Sequence, residues 1–157
     1  MSSISDFGAS LPKKFKTSSM CDILAIDIKS LFRMVVLGPS FSGKKSLCMF
    51  ILKHSPHVFA HLTIIVRNPH EGLYEYLRDK MDRLTTFADP DAPPSADQVR
   101  HTPISSNKPE LVIIDGFSND KLLQKYLFSH YVTRDRHLKL STIFLSHSYY
   151  ATDTMIL

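Results

Sequence analysis

The chain has 157 residues, 43% hydrophobic and 22% charged, with a formal charge of +4 and a pI near 9.1, the length and balance of one soluble globular domain. No apolar run approaches the roughly 20 residues that span a bilayer, and the first residues lack the basic and apolar blocks of a secretory leader, so no membrane insertion and an intracellular location are expected. Cys21 and Cys48 lie too far apart for metal-ligand spacing and exclude a disulfide scaffold, while the modest positive excess is compatible with a polyanionic partner.

Residues 1–20 are Ser-rich and carry Lys13, Lys14 and Lys16, which reads as a flexible basic arm preceding a domain over 21–157. Residues 23–31 are apolar-rich and suit a short strand at the domain edge. The apolar run 32–37 then enters a glycine-bounded loop. Gly38 and Gly43 bracket Pro39, Ser40, Phe41 and Ser42, and Lys44 follows, the G-x-x-x-x-G-K spacing of a phosphate-binding P-loop. Consecutive backbone N–H groups there curl around a phosphate, the lysine reaches the outer phosphates, and a helix over 46–53 points its positive end at the same anion.

One position departs from the motif. The residue after the lysine is normally Ser or Thr, whose hydroxyl binds Mg²⁺, but it is Lys45, with the hydroxyl one residue later at Ser46. That shift is about 100° of helix rotation and about 1.5 Å of rise, which turns Ser46 away from the metal.

A regular alternation follows. Residues 62–66 form a β-branched run typical of a strand buried on both faces. Residues 71–84 carry Leu73, Tyr76, Leu77, Met81 and Leu84 at helical spacing, and 88–109, with five prolines, read as a long loop insertion. Residues 111–115 are a second buried strand ending in Asp115. A helix over 120–132 presents Leu122, Leu123, Tyr126 and Leu127, and 142–145 form a third buried strand. The pattern predicts an α/β fold, a parallel sheet with crossover helices on both faces, whose ligands bind at the carboxyl ends of the strands. Gly38, Asp115 and His147 all fall at such ends.

Four apolar residues followed by Asp115 match the Walker B pattern, in which a strand-end carboxylate holds the Mg²⁺ bridging the β- and γ-phosphates. Hydrolysing enzymes usually place a second acid next, to polarise water. Here that position is Gly116, and the next carboxylate is Asp120.

The motifs together, in order, resemble the genome-packaging ATPases of large DNA viruses, virophages and Polinton-type elements, the poxvirus-type branch of the FtsK/HerA superfamily of P-loop NTPases. The residues that carry the resemblance are 38–46, 71–77, 111–115, Arg136-His137 and 141–150. The most specific part is Leu145-Ser146-His147-Ser148-Tyr149, which is similar to the family's Leu-Ser-Gln-Ser-Tyr sensor strand. The resemblance implies ATP and Mg²⁺ as cofactors, with Lys44 on the β- and γ-phosphates and Asp115 and Ser46 as candidate metal ligands. It also implies a homo-oligomeric ring that moves double-stranded DNA into a capsid at sites of virus assembly, with capsid proteins as partners.

Two residues keep two readings each. His147 stands where the family has a γ-phosphate-sensing glutamine, or is a surface histidine at a strand end. Arg136 is an arginine finger toward a neighbouring subunit, or a plain surface arginine. The chain stops at Leu157, before the segment where such ATPases carry further arginines and closing strands, which reads as a C-terminally truncated domain. Lys45, Gly116 and His147 each alter a position the family uses for chemistry. The competing function is therefore a hydrolysis-weak nucleotide-binding module acting in assembly; a small-molecule kinase lacks room for an arginine-rich lid after residue 147.

Other signals carry less. His54, His57 and His61 have metal-like helical spacing that Pro56 interrupts. Cys48 sits among apolar neighbours and reads as core. Tyr74 and Tyr76 read as packing residues, and Ser146 and Ser148 lack the third member of a hydrolytic triad.

Overall fold

The computed structural model describes residues 22–23, 28–29, 31–55, 58–102, 108–116, 120–131, 138–154 and 156. The basic arm and Arg136 lie outside these residues.

Two short strands, β1 (Asp22–Ile23) and β2 (Ile28–Lys29), pair antiparallel. The main sheet is built from β3 (Arg33–Leu37), β4 (Leu62–Val66), β5 (Thr85–Ala88), β6 (Glu110–Asp115) and β7 (Leu140–Ser146), all parallel and ordered β3-β7-β6-β4-β5. Every residue of β4, β6 and β7 is buried, as the consecutive apolar residues at their centres predict for central strands, whereas β3 and β5 are half-exposed edges.

Helices α1 (Lys44–Lys53) and α2 (Gly72–Met81) pack on one face of the sheet, and α3 (Ala96–Val99) and α4 (Lys121–Tyr131) on the other. Strand alternation feeds both layers. Ile64, Ile113 and Ile143 face α1 and α2, while Ile65, Ile114 and Phe144 face α4. The faces follow from crossover handedness: the chain steps one way across the sheet from β3 to β4 to β5, then returns through β6 and β7. Connections of one hand therefore change face at the reversal. This opens a crevice at the carboxyl edge.

Four expectations change. β5 was not foreseen, because its four residues, Thr-Thr-Phe-Ala, are too short and mixed for a period to emerge. The helix over 71–84 ends at Met81 and tightens into a single turn over Asp82–Leu84, and its buried stripe is Tyr74 and Leu77, leaving Tyr76 and Leu84 exposed. On α4 the buried residues are Gln124, Leu127 and Tyr131, while Leu122 and Tyr126 face solvent. The 88–109 insertion also contains α3, started by a capping box between Ser95 and Gln98.

At the amino-terminal edge of the sheet the buried Glu110 accepts the backbone N–H groups of His101 (3.0 Å) and Thr102 (2.7 Å) and the Thr102 hydroxyl (2.7 Å). The His61 ring stacks on His101 at 3.8 Å, with its Nε2 2.8 Å from Thr86 Oγ1. His61 is thus part of this edge, and α1 ends before it, at Lys53.

Candidate functional site

The loop after β3 starts beside β7, where Gly38 N–H donates to Ser146 O at 3.1 Å. A Cβ on Gly38 would approach Ser42 Oγ to 2.5 Å, so the close approach favours glycine. Ser42 N–H closes a turn on Pro39 O at 3.3 Å, with Phe41 in the left-handed region at φ 62 and its ring fully exposed. Gly43, at φ 85, turns the chain into α1, whose first bond runs from Leu47 N–H to Gly43 O at 2.9 Å.

The first turn of a helix leaves its N–H groups without intrahelical partners, here those of Lys44, Lys45 and Ser46. That turn holds no acidic residue. Two lysines there oppose the helix dipole, an arrangement unfavourable for the fold and favourable for an anion. The Lys44 ammonium folds back over its own loop, donating to Gly38 O (2.5 Å) and Pro39 O (2.7 Å).

The loop forms one wall of a cleft of about 690 Å³ at the carboxyl edge of the sheet. The opposite wall comes from Arg67 and Asn68 after β4, Glu71 and Leu73 at the start of α2, Asp115 and Gly116 after β6, and His147 after β7. Residues more than a hundred positions apart in the chain thus line one cavity because their strands end at the same edge. Ser40 to Ser46, Asp115 and His147, all singled out from the sequence, are among them.

Asp115 occupies the floor, with its side chain only 8% exposed. A buried carboxylate requires partners. Tyr74 O–H donates to Asp115 Oδ2 at 2.6 Å, and the Lys45 ammonium lies 3.4 Å from the same oxygen. Lys45 also pairs with Glu71 and sits 5.2 Å from the Tyr74 ring centroid. Burial first, then the Asp115 charge and the hydrogen bond to it, push the Tyr74 phenol well above its ordinary range, so it remains a donor. Under the loop, burial and then the Asp115 charge push the Cys48 thiol up to about 12. It is a core residue, 1% exposed.

The Mg²⁺ expected from the motifs meets an arrangement that does not suit it. Asp115 Oδ2 already faces a cation and a hydroxyl donor, so a divalent ion brought to that oxygen displaces the Lys45 ammonium. Ser46, the other candidate ligand, is exposed on the next helical position.

His147 is exposed at the end of β7, where the chain enters a tightly bonded segment. Thr152 O–H donates to Ser148 O (2.8 Å), and its oxygen lies 2.6 Å from Ser146 Oγ. The buried Gln124 amide donates to Ala151 O (3.0 Å) and accepts from Asp153 N–H (2.8 Å). Ser146 is therefore a structural hydroxyl beneath the site. Asp120, the next acid after Asp115, caps α4 by accepting Leu123 N–H at 2.9 Å and lies 3.9 Å from Arg67.

Sequence reasoning does not single out Arg67, Asn68 and Glu71 as cleft residues, nor Tyr74 as the buried donor to Asp115 beneath the cleft. The first two follow the buried run of β4, so their place at a strand end was available as a signal. Glu71 and Tyr74 fall in the 71–77 segment that carries the resemblance, but their contacts with Lys45 and Asp115 depend on how α2 docks. Compared with known proteins, the chain matches no family model and no curated protein.

Proposed function

We propose that this chain is a P-loop domain that binds ATP in the cleft at the carboxyl edge of its sheet. The observation that carries the reading is that Lys44, Asp115 and His147, from three distant segments, line one cleft built on the 38–44 loop. Because β7 lies between β3 and β6, His147 follows the strand between the loop and Asp115, which supports its reading as a γ-phosphate contact. Loop N–H groups and the α1 N-terminus supply donors for the inner phosphates, and Lys44 exchanges its own-loop carbonyls for outer phosphate oxygens.

The motif order favours descent from viral packaging motors, which move double-stranded DNA into capsids as rings. A second reading, a nucleotide-binding module with weak hydrolysis, is favoured by Lys45 pairing with Asp115 and by the absence of an acid at Gly116. ATP hydrolysis measured with and without double-stranded DNA separates the two. DNA-stimulated turnover supports the motor; ATP binding without it supports the module. Absence of ATP binding overturns both. Mixing Lys44→Ala with Arg136→Ala subunits tests a shared site: recovered activity requires an interface that pairs an intact loop with an intact finger.

A further inference from the structure

We infer that the Lys45 ammonium is a built-in replacement for the divalent cation, so that the cleft binds nucleoside triphosphate without metal. The inference rests on the nucleotide-site reading and goes beyond it by naming the form of the ligand, the metal-free triphosphate.

Two general expectations converge on one point in space. In a P-loop the residue after the motif lysine gives its hydroxyl to the metal, and the strand-end carboxylate holds the same ion, so the metal lies between those two positions. Here they are residues 45 and 115, and the Lys45 ammonium lies 3.4 Å from Asp115 Oδ2. Position 45 is about 100° around α1 from Lys44, which carries its side chain away from the loop toward α2 and β6. Glu71, which precedes the first turn of α2, holds the ammonium from the other side.

The chemistry is consistent with that placement. An ammonium has three N–H donors and no acceptor, matching two carboxylates and one phosphate oxygen. Lys44 and Lys45 together balance the charges of Glu71 and Asp115. Without Lys45 one of these two carboxylate charges loses its counter-charge beside the triphosphate, and a bound cation would then have to offset it. The side chain is 31% exposed, open enough to meet a ligand while its ammonium is paired with both carboxylates.

The test is ATP affinity by calorimetry, in excess MgCl₂ and in EDTA, for the wild type, Lys45→Thr and Lys45→Met. The expected wild-type change on metal removal is less than about threefold, whereas Lys45→Thr loses about tenfold or more in EDTA, roughly 1.4 kcal/mol. Lys45→Met, which keeps the stem and removes the charge, also binds poorly in EDTA. A wild type that loses tenfold in EDTA while binding well with Mg²⁺ overturns the inference and leaves the nucleotide site standing. Wild-type affinity in EDTA for both variants overturns it too. A wild type that binds ATP under neither condition removes the nucleotide reading itself. The wild-type comparison decides even where a variant does not fold.

Discussion

Tyr74, in the first turn of α2, donates a 2.6 Å hydrogen bond to Asp115 at the carboxyl end of β6. This bond fixes the helix against the strand end on which the cleft is built. Tyr74→Phe keeps the edge-to-face contact with Phe87 and removes only the hydroxyl. Hydrogen bonds to charged groups are worth about 1.5–3 kcal/mol, and a loss of that size in urea unfolding is expected. An unchanged midpoint would show that Asp115 does not depend on this donor.

Lys44→Ala tests the loop itself. The Lys44 ammonium contacts only its own loop's carbonyls, Gly38 O and Pro39 O, among the hydrogen bonds described, so its removal leaves the core intact. Thermal unfolding should stay near that of the wild type while ATP affinity drops by about tenfold or more, the loss of one charge-assisted contact. Equal ATP binding by the two proteins rules out the phosphate-loop assignment.

Hydrolysis by the wild type should be slow, well under the roughly 10 s⁻¹ median of enzymes. Lys45→Thr, which returns a hydroxyl and frees Asp115, is expected to raise it in the presence of Mg²⁺. Gly116→Glu, the other restoration, meets a backbone obstacle: Gly116 has φ 93, and a side chain there is strained although no atom lies within 4 Å of the added Cβ. That variant should lose about 1–2 kcal/mol of stability. A stable Gly116→Glu protein would show that the turn after β6 relaxes.

Cys48 should be inert in the native state. Its thiol is buried and pushed up to about 12, so almost no thiolate exists at neutral pH. In a Cys21→Ser background, a thiol-specific disulfide reagent at about pH 8 should react only after unfolding in urea. Fast native labelling is the contrary outcome.

His61 makes stability depend on pH. Burial, then the neighbouring His101, lower its pKa below the ordinary value, against a smaller opposing effect of Glu110. The unfolded chain therefore binds more protons than the folded one just below roughly pH 6.5. Stability from this group is complete above that pH and is lost as the pH falls toward the folded pKa. His61→Gln should flatten the decline in unfolding free energy as the pH falls below about 6.5. The same slope in variant and wild type would assign the acid sensitivity elsewhere.

The limits of the sequence show most clearly on the two helices that support the site. Periodicity points to Tyr76 on α2 and to Leu122 and Tyr126 on α4 as core residues, yet all three are exposed. The helices are rotated so that Tyr74 and Gln124 lie inside. Both are polar groups satisfied by distant partners, Asp115 for Tyr74 and the 151–153 backbone for Gln124. A hydrophobic pattern scores Gln124 as surface and does not separate Tyr74 from Tyr76, because the partner that removes the desolvation cost is far away in the chain.

The amino-acid sequence by itself determined the parallel sheet, since β4, β6 and β7 each carry a run of three or more consecutive apolar residues, 64–66, 111–114 and 143–145, that a strand covered on both faces hides. It also determined the 38–44 loop, because glycine spacing and a lysine are local properties of a short segment. Only the tertiary structure decided the direction of Lys45. Whether an ammonium at that position faces solvent, its own loop or Asp115 depends on the packing of α1 and α2 over β6, and electrostatic pairing acts through space between residues the chain keeps far apart.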